Sequence, residues 1–341
     1  MKKTIAIVVL SVAVIFPPSS AGRRAPKPLQ IFFIDTEGGQ ATLIVSPVGE
    51  SVLIDTGWAG ARDADRIKVA AKEAHLKRID YVLITHYHGD HVGGVADLVQ
   101  RIPVTTFVDH GGDTENGDNA KKLFEAYQKA TEHSKRVQLA PNQGLPLKGM
   151  TLEVVAAGGE RITEPLPGAG EANFYCSSEP EAQADTTENA QSIGVVVSMG
   201  KFRFLDLGDL TKNKSIGLLC PNNLIGTVDV YLTTHHGAAA DNPKSLVWAV
   251  RPRVAILNDG EHKGGAPEAW QVVHDSPGLA DFWQLHYAAD AGKEHNVGED
   301  FIANLNEQSD GNEIRLTALP DGSFTVTNSR NGVSRTYAPK P

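Results

Sequence analysis

The segment Thr85-His86-Tyr87-His88-Gly89-Asp90-His91 gathers three imidazoles and a carboxylate directly after the apolar run Tyr81-Val82-Leu83-Ile84. Only 12 histidines occur in 341 residues, so such crowding is a poor match to a chance surface loop. The chemistry these types and spacings permit is metal ligation. In an extended or tightly turned segment, positions two apart project to one side, so His86 and His88 are expected to grip one ion. Asp90 and His91 then turn toward a second. Borderline-soft divalent ions take imidazole nitrogen with carboxylate oxygen as a supplement, and a catalytic zinc keeps one position open for water. The expected cofactor is Zn2+, one or two ions, with Mn2+ or Fe2+ as alternatives.

A two-ion site needs a charged bridge and a further imidazole. Phe204-Leu205-Asp206-Leu207-Gly208-Asp209 places Asp209 just past a hydrophobic strand, beside a glycine, and makes it the candidate bridge. The competing reading is a turn aspartate that caps the helix following it. Tyr231-Leu232-Thr233-Thr234-His235-His236-Gly237 repeats the order of strand, histidine and glycine. One of its histidines is expected on the metal and its neighbour on the substrate: His235 as ligand, His236 as donor to the leaving group or substrate oxygen. Asp90 is expected to orient water as well as bind, and Asp55 to brace the histidine loop from behind. A bound ion would bring the pKa of water to about 7, making hydrolysis of an ester, amide or phosphodiester the expected reaction.

The elements that must hold these groups alternate. Strand patterns at 29–34, 41–45 and 51–54 read as a meander, a helix is expected over 62–75, and a strand at 80–84 delivers the histidine cluster. A helix from Gly94 to Gln100, a strand at 104–108 ending at Asp109-His110, and a helix over 119–133 follow. Residues 158–190 are irregular and too long for an ordinary connection, so they are expected as a lid or a mobile insertion. A hairpin at 192–205, strands at 228–232 and 254–257, and a closing hairpin at 313–327 complete the pattern, which is that of an α/β sandwich with active groups on loops at strand ends.

The N-terminus runs from Lys2-Lys3 through an apolar stretch, Ile5 to Phe16, to Pro17-Pro18-Ser19-Ser20-Ala21. This is the pattern of a secretory signal over residues 1–21, and it places the protein in the periplasm or outside the cell, with no membrane span after cleavage. A net charge of −9 argues against a nucleic-acid substrate without excluding one, leaving a small-molecule or ester substrate as the expected partner. Cys176 and Cys220 are free to pair in an oxidising compartment.

Together, Thr85 to Gly94, Leu53-Ile54-Asp55-Thr56-Gly57, Asp209 and His235 resemble the metallo-β-lactamase superfamily, over roughly residues 29–310. The resemblance implies an αββα sandwich of two mixed sheets flanked by helices, with a zinc-type site between the sheets and residues 311–338 as a β-hairpin extension of the same domain. Phe33 to Ala41, Asn189 with Ser192, and His235-His236-Gly237 are most similar to the group containing the extracellular domain of bacterial DNA-uptake channels and the phosphorylcholine esterases. Two departures stand out. The third histidine of the first metal position is missing, with Asp185, Glu188 and Asn189 in its place and His110 as another substitute. Where the group carries Gly-His-Pro, this chain has Gly265-Ala266-Pro267. Three functions compete: phosphoester or phosphodiester hydrolysis; lactone, β-lactam or thioester hydrolysis; and non-catalytic metal binding.

Overall fold

The computed structural model describes residues 27–178, 183–306 and 309–340. The expected signal segment, 1–21, lies outside the described residues. Among those described, no helix is long and apolar enough to cross a membrane.

The strands are β1 (Leu29–Phe33), β2 (Thr42–Val45), β3 (Ser51–Ile54), β4 (Ile79–Leu83), β5 (Val104–Asp109), β6 (Lys135–Gln138), β7 (Thr151–Ala157), β8 (Glu160–Arg161), β9 (Gly194–Met199), β10 (Phe202–Asp206), β11 (Val230–Leu232), β12 (Val254–Leu257), β13 (Asp281–His286), β14 (Ile302–Asn304), β15 (Ile314–Ala318), β16 (Phe324–Asn328) and β17 (Ser334–Tyr337). They form two mixed sheets, ordered β17-β16-β15-β1-β2-β3-β4-β5-β6 and β14-β13-β12-β11-β10-β9-β7-β8. The C-terminal hairpin thus gains a third strand, and β15 pairs antiparallel with β1, Ile31 opposite Leu316.

Side-chain alternation explains the layering. In β10, Phe202 and Phe204 join Ile31, Phe33, Ile44 and Ile54 of the other sheet in one buried core, while Leu205 faces the opposite way. The outer face of the first sheet is covered by helices α1 (Ala61–Glu73), α2 (Gly89–Val92), α3 (Val95–Leu98) and α4 (Asp118–Thr131); that of the second by α5 (Lys212–Leu219), α6 (Lys244–Val250) and α7 (Pro267–His274). Ala64, Ile67, Ala70 and Ala71 form the buried stripe of α1, at the three-to-four-residue spacing an amphipathic helix requires. The helix expected from Gly94 to Gln100 is the single turn α3, and another single turn, α2, precedes it. Helix α2 starts inside the histidine cluster, so Asp90 and His91 ride on a helical turn.

The segment 158–178 is neither a lid over the site nor free of the body. Asn173 Nδ2 donates to Leu219 O and Ser245 O, Leu166 N donates to Leu224 O, and a Cys176–Cys220 disulfide closes the link to the end of α5. This stretch packs on the helical layer of the second sheet. Among the described residues of the irregular region, Glu188 reaches the histidine loop and Asn189 reaches His235.

Strands β3 to β6 run parallel in one sheet and β10 to β14 in the other. Their C-terminal ends open on the same side, where the loops carrying Asp55, His86 to His91, Asp209, His235 and His236 converge.

Candidate metal centre

Asp209 is the hub of the converging loops. Its Oδ2 lies 3.3 Å from His91 Nε2, 3.6 Å from His235 Nε2 and 3.8 Å from His86 Nε2, and its Oδ1 lies 3.4 Å from His236 Nε2. Ligand atoms of Asp90, His91, Asp209 and His236, all buried, lie within 4.8 Å of one another. Two contacts set the spacing between loops. His235 N donates to Gly208 O at 3.0 Å, and Gly208, at φ 54°, comes so close to Thr85 that an added Cβ would meet the Thr85 Cβ at 2.9 Å.

Each histidine touching Asp209 has its Nδ1 beside an oxygen on the far side. His91 Nδ1 meets Asp55 Oδ2 at 2.7 Å, His235 Nδ1 meets Asp241 Oδ2 at 2.6 Å, His236 Nδ1 meets Asn258 O at 3.2 Å, and His86 Nδ1 meets Thr85 Oγ1 at 3.1 Å. An Nδ1–H donated to these acceptors leaves the Nε2 lone pair pointing inward, the tautomer a cation needs. Asp55 also takes the Thr85 backbone N–H and hydroxyl, each at 2.7 Å, locking the start of the histidine loop.

Three buried polar atoms here lack a hydrogen-bond partner: His86 Nε2, Asp209 Oδ1 and Asn189 Oδ1. Unpaired buried polar atoms are rare in folded proteins. Their gathering around one carboxylate, with nitrogen and carboxylate donors already oriented, fits a borderline-soft divalent ion. The protonation states agree. Burial opposes charge on His91, but Asp209, Asp90 and Asp55 outweigh it and hold the imidazole well above its ordinary pKa. Burial and the neighbouring His91 push His86 well below. Burial likewise opposes ionisation of Asp209 and Asp90, and the surrounding histidines override it, lowering both carboxyls. Without an ion, a proton on His91 answers the cluster's negative charge.

The structure brings both His235 and His236 to Asp209, where the sequence set His235 as ligand and His236 as donor to the substrate. Both adopt left-handed backbone conformations, φ 51° at each, which non-glycine residues rarely do outside strained functional turns. That turn buries His236 to 1% exposure among Asp90, His91 and Asp209, at 3.2, 3.1 and 3.4 Å, so it belongs to the donor set and has no open face for a leaving group. His235, at the rim, contacts Asp209 and the Asn189 amide nitrogen, the latter at 3.3 Å.

His88 stands at the mouth, its ring 4.6 Å from that of His86 and its Nε2 3.3 Å from Glu115. Two of the candidates for the missing histidine's place, His110 and Asp185, lie elsewhere. His110 Nε2 pairs with Glu188 Oε1 at 2.8 Å and its ring packs on Tyr87. Asp185 accepts hydrogen bonds from the hydroxyls of Thr187 and Thr211, bracing the approach to α5. Among 185, 188 and 189, Asn189 is the residue that reaches the centre.

Several contributors carried no signal of the role they take in the structure. Glu188 is buried, and it accepts from Tyr87 N, His110 Nε2, Thr114 N and Thr114 Oγ1, holding the peptide between His86 and His88. Asp206 is also buried; Gln40 Nε2 and Gly208 N donate to it, and burial pushes its carboxyl up to about 7. His286, at the end of β13, is buried and pairs with Asp35 at 2.6 Å. Trp58 stands at the rim, 37% exposed.

Comparison with known proteins follows the same lines. The profile of the metallo-beta-lactamase superfamily matches residues 34–180. Recombination protein 2 of Haemophilus influenzae is 23% identical over 250 residues, covering 72% of this chain and 26% of that protein. The atrochrysone carboxyl ACP thioesterase dmxR1 of a Cryptosporiopsis species is 40% identical over 65 residues, covering 19% of this chain and 20% of that one. The chain therefore spans between a fifth and about a quarter of the length of these relatives. The metallo-beta-lactamase fold protein YhfI from Bacillus subtilis superposes with a TM-score of 0.47 at 14% identity, over 75% of this chain and 96% of that one.

Proposed function

We infer that this chain, which belongs to the metallo-β-lactamase superfamily, is a metal-dependent hydrolase that acts on a phosphoester or phosphodiester with one or two zinc-type ions. The observation that carries the reading is the buried donor set of Asp90, His91, Asp209 and His236, with the unpartnered His86 Nε2 beside it. Asp90, His91 and His236 would hold one ion, His86, His88 and His235 would hold the other, and Asp209 would lie between them. Ions so held supply Lewis-acid activation of water and of the substrate oxygen at neutral pH.

The chain's own residues do the positioning. Asp55, Asp241 and the Asn258 carbonyl fix three imidazoles in the ligating tautomer. Asp90, one carboxylate oxygen of which lies against His91 and His236, would use its carboxylate both to ligate and to orient the attacking water by a hydrogen bond. Buried walls from both sheets exclude bulk solvent and strengthen every charge interaction inside.

The match to Recombination protein 2 extends over most of this chain, against a fifth for the thioesterases, which supports the resemblance to the DNA-uptake group from which the phosphoester reading follows. Thioester hydrolysis is the second reading, favoured by the higher identity of the short thioesterase match. The N-terminal signal pattern and the Cys176–Cys220 disulfide support export to the periplasm or beyond. The test is metal analysis of the purified protein with turnover of bis-p-nitrophenyl phosphate, nitrocefin and an acyl thioester in added Zn2+ or Mn2+. Turnover of the phosphodiester that is lost in Asp209→Asn is expected. Less than about 0.3 equivalents of transition metal after reconstitution would overturn the reading, since such ligands bind tightly.

A further inference from the structure

The loop between β12 and α7 carries a cation to the edge of the centre that metal ligation leaves without a task. Lys263 Nζ contacts Asp90 Oδ2, donates to Gly38 O at 2.5 Å, and lies 4.9 Å from the centre of the Trp58 ring. Its stem lies on Gly38, where an added Cβ would meet the Lys263 Cβ at 2.8 Å; Gly38, at φ 82°, has the bare backbone this contact needs. The loop itself is pinned. Gly260 N donates to Lys263 O at 2.8 Å, Gly265 N to His236 O at 2.8 Å, and Ala266 N to Gly237 O at 3.0 Å. The attachment point is therefore fixed beside the metal-ligating turn, while the side chain is 40% exposed toward the open side.

We propose that Lys263 binds the anionic oxygen of the substrate and so selects charged phosphoesters over neutral esters. The proposal rests on the phosphoester reading above and names the residue that recognises that substrate. In the metal-free protein the ammonium neutralises Asp90. When a divalent cation takes the Asp90 oxygens, the same ammonium faces a positive centre and its attraction to that carboxylate is cancelled. The Trp58 face keeps it at the rim, since a cation over an indole ring is held by the ring's negative face. A compact point charge with three donors is suited to a phosphate oxygen arriving from the open side.

The experiment uses the metal-loaded full chain and the variants Lys263→Met and Lys263→Arg. Binding of inorganic phosphate is measured by calorimetry, and kcat/KM is measured on bis-p-nitrophenyl phosphate and on neutral p-nitrophenyl acetate. Lys263→Met is expected to weaken phosphate binding roughly ten- to a hundredfold, the range of a charge-assisted hydrogen bond, while Lys263→Arg retains most of it. Lys263→Met is also expected to bind Zn2+ at least as tightly as the parent, because a competing cation is gone, and to lose its preference for the charged ester. A phosphate affinity within about twofold of the parent would overturn the proposal, and so would weakened Zn2+ binding, which marks a structural role. The two readings fail separately. If no phosphoester is turned over, the phosphate titration still decides Lys263. If Lys263→Met hydrolyses the diester as the parent does, the hydrolase stands and the lysine assignment falls.

Discussion

Glu188→Gln tests how the histidine loop is held. The carboxylate takes four hydrogen bonds, from Tyr87 N at 3.1 Å, His110 Nε2 at 2.8 Å, Thr114 N at 3.0 Å and Thr114 Oγ1 at 2.7 Å. Burial resists its ionisation, yet the hydrogen bonds and His110 win and bring the carboxyl down to about 2, from 4.5 for a free glutamate. A difference of that size corresponds to about 3 kcal/mol favouring the folded, charged form. A depressed acid stabilises fully above its unfolded pKa, and the effect fades as pH falls through the folded value. The window therefore runs from about pH 4.5 down to about 2, with about 2 kcal/mol gone by pH 3. A glutamine has one acceptor oxygen and turns N–H groups against donors, so the cost at pH 7 is expected to be about 3 kcal/mol. Urea unfolding of the metal-free parent and variant at pH 7 and pH 3 reads the difference, which should shrink to about 1 kcal/mol at the lower pH. Because Tyr87 lies between His86 and His88, metal affinity should also fall, roughly ten- to a hundredfold, as when a residue orienting a ligand is lost. A stability difference equal at both pH values would refute the claim that the charged carboxylate is what the loop depends on.

Three other outcomes are expected. His236→Ala should remove about one equivalent of bound metal, whereas Asp55→Asn should keep the stoichiometry and weaken affinity roughly tenfold or more; metal analysis with competitive chelation separates the two. Metal binding near pH 7 should release at least about one proton per protein, since His91 is held above its ordinary pKa without an ion, and affinity should rise with pH; calorimetry in buffers of different ionisation enthalpy measures it. Cys176→Ser with Cys220→Ser should cost up to about 4 kcal/mol, the chain-entropy value for a loop of this 44-residue separation, and reductant should lower the Tm of the parent but not of the variant.

The sequence alone determined the layered α/β architecture and the core of the site. Burial in a strand has period two, and Phe202 and Phe204 alternating with Arg203 and Leu205 declare two faces without any partner being known. His86 to His91 declared themselves because their ligating types lie within one short loop, and Asp209 and the His235-His236 pair because each closes a hydrophobic strand. Tertiary structure decided what depended on backbone conformation or on distant chain. The turn of His236 inward beside the other donors follows from two successive left-handed residues, a choice enforced by packing against Gly208 and Asn258 and not by local composition. Glu188 lies 101 residues from the Tyr87 peptide it holds, and Lys263 lies 173 from Asp90. A lone glutamate or lysine in an irregular loop carries no periodic or spacing signal, and its meaning appears only when burial has fixed which loops meet.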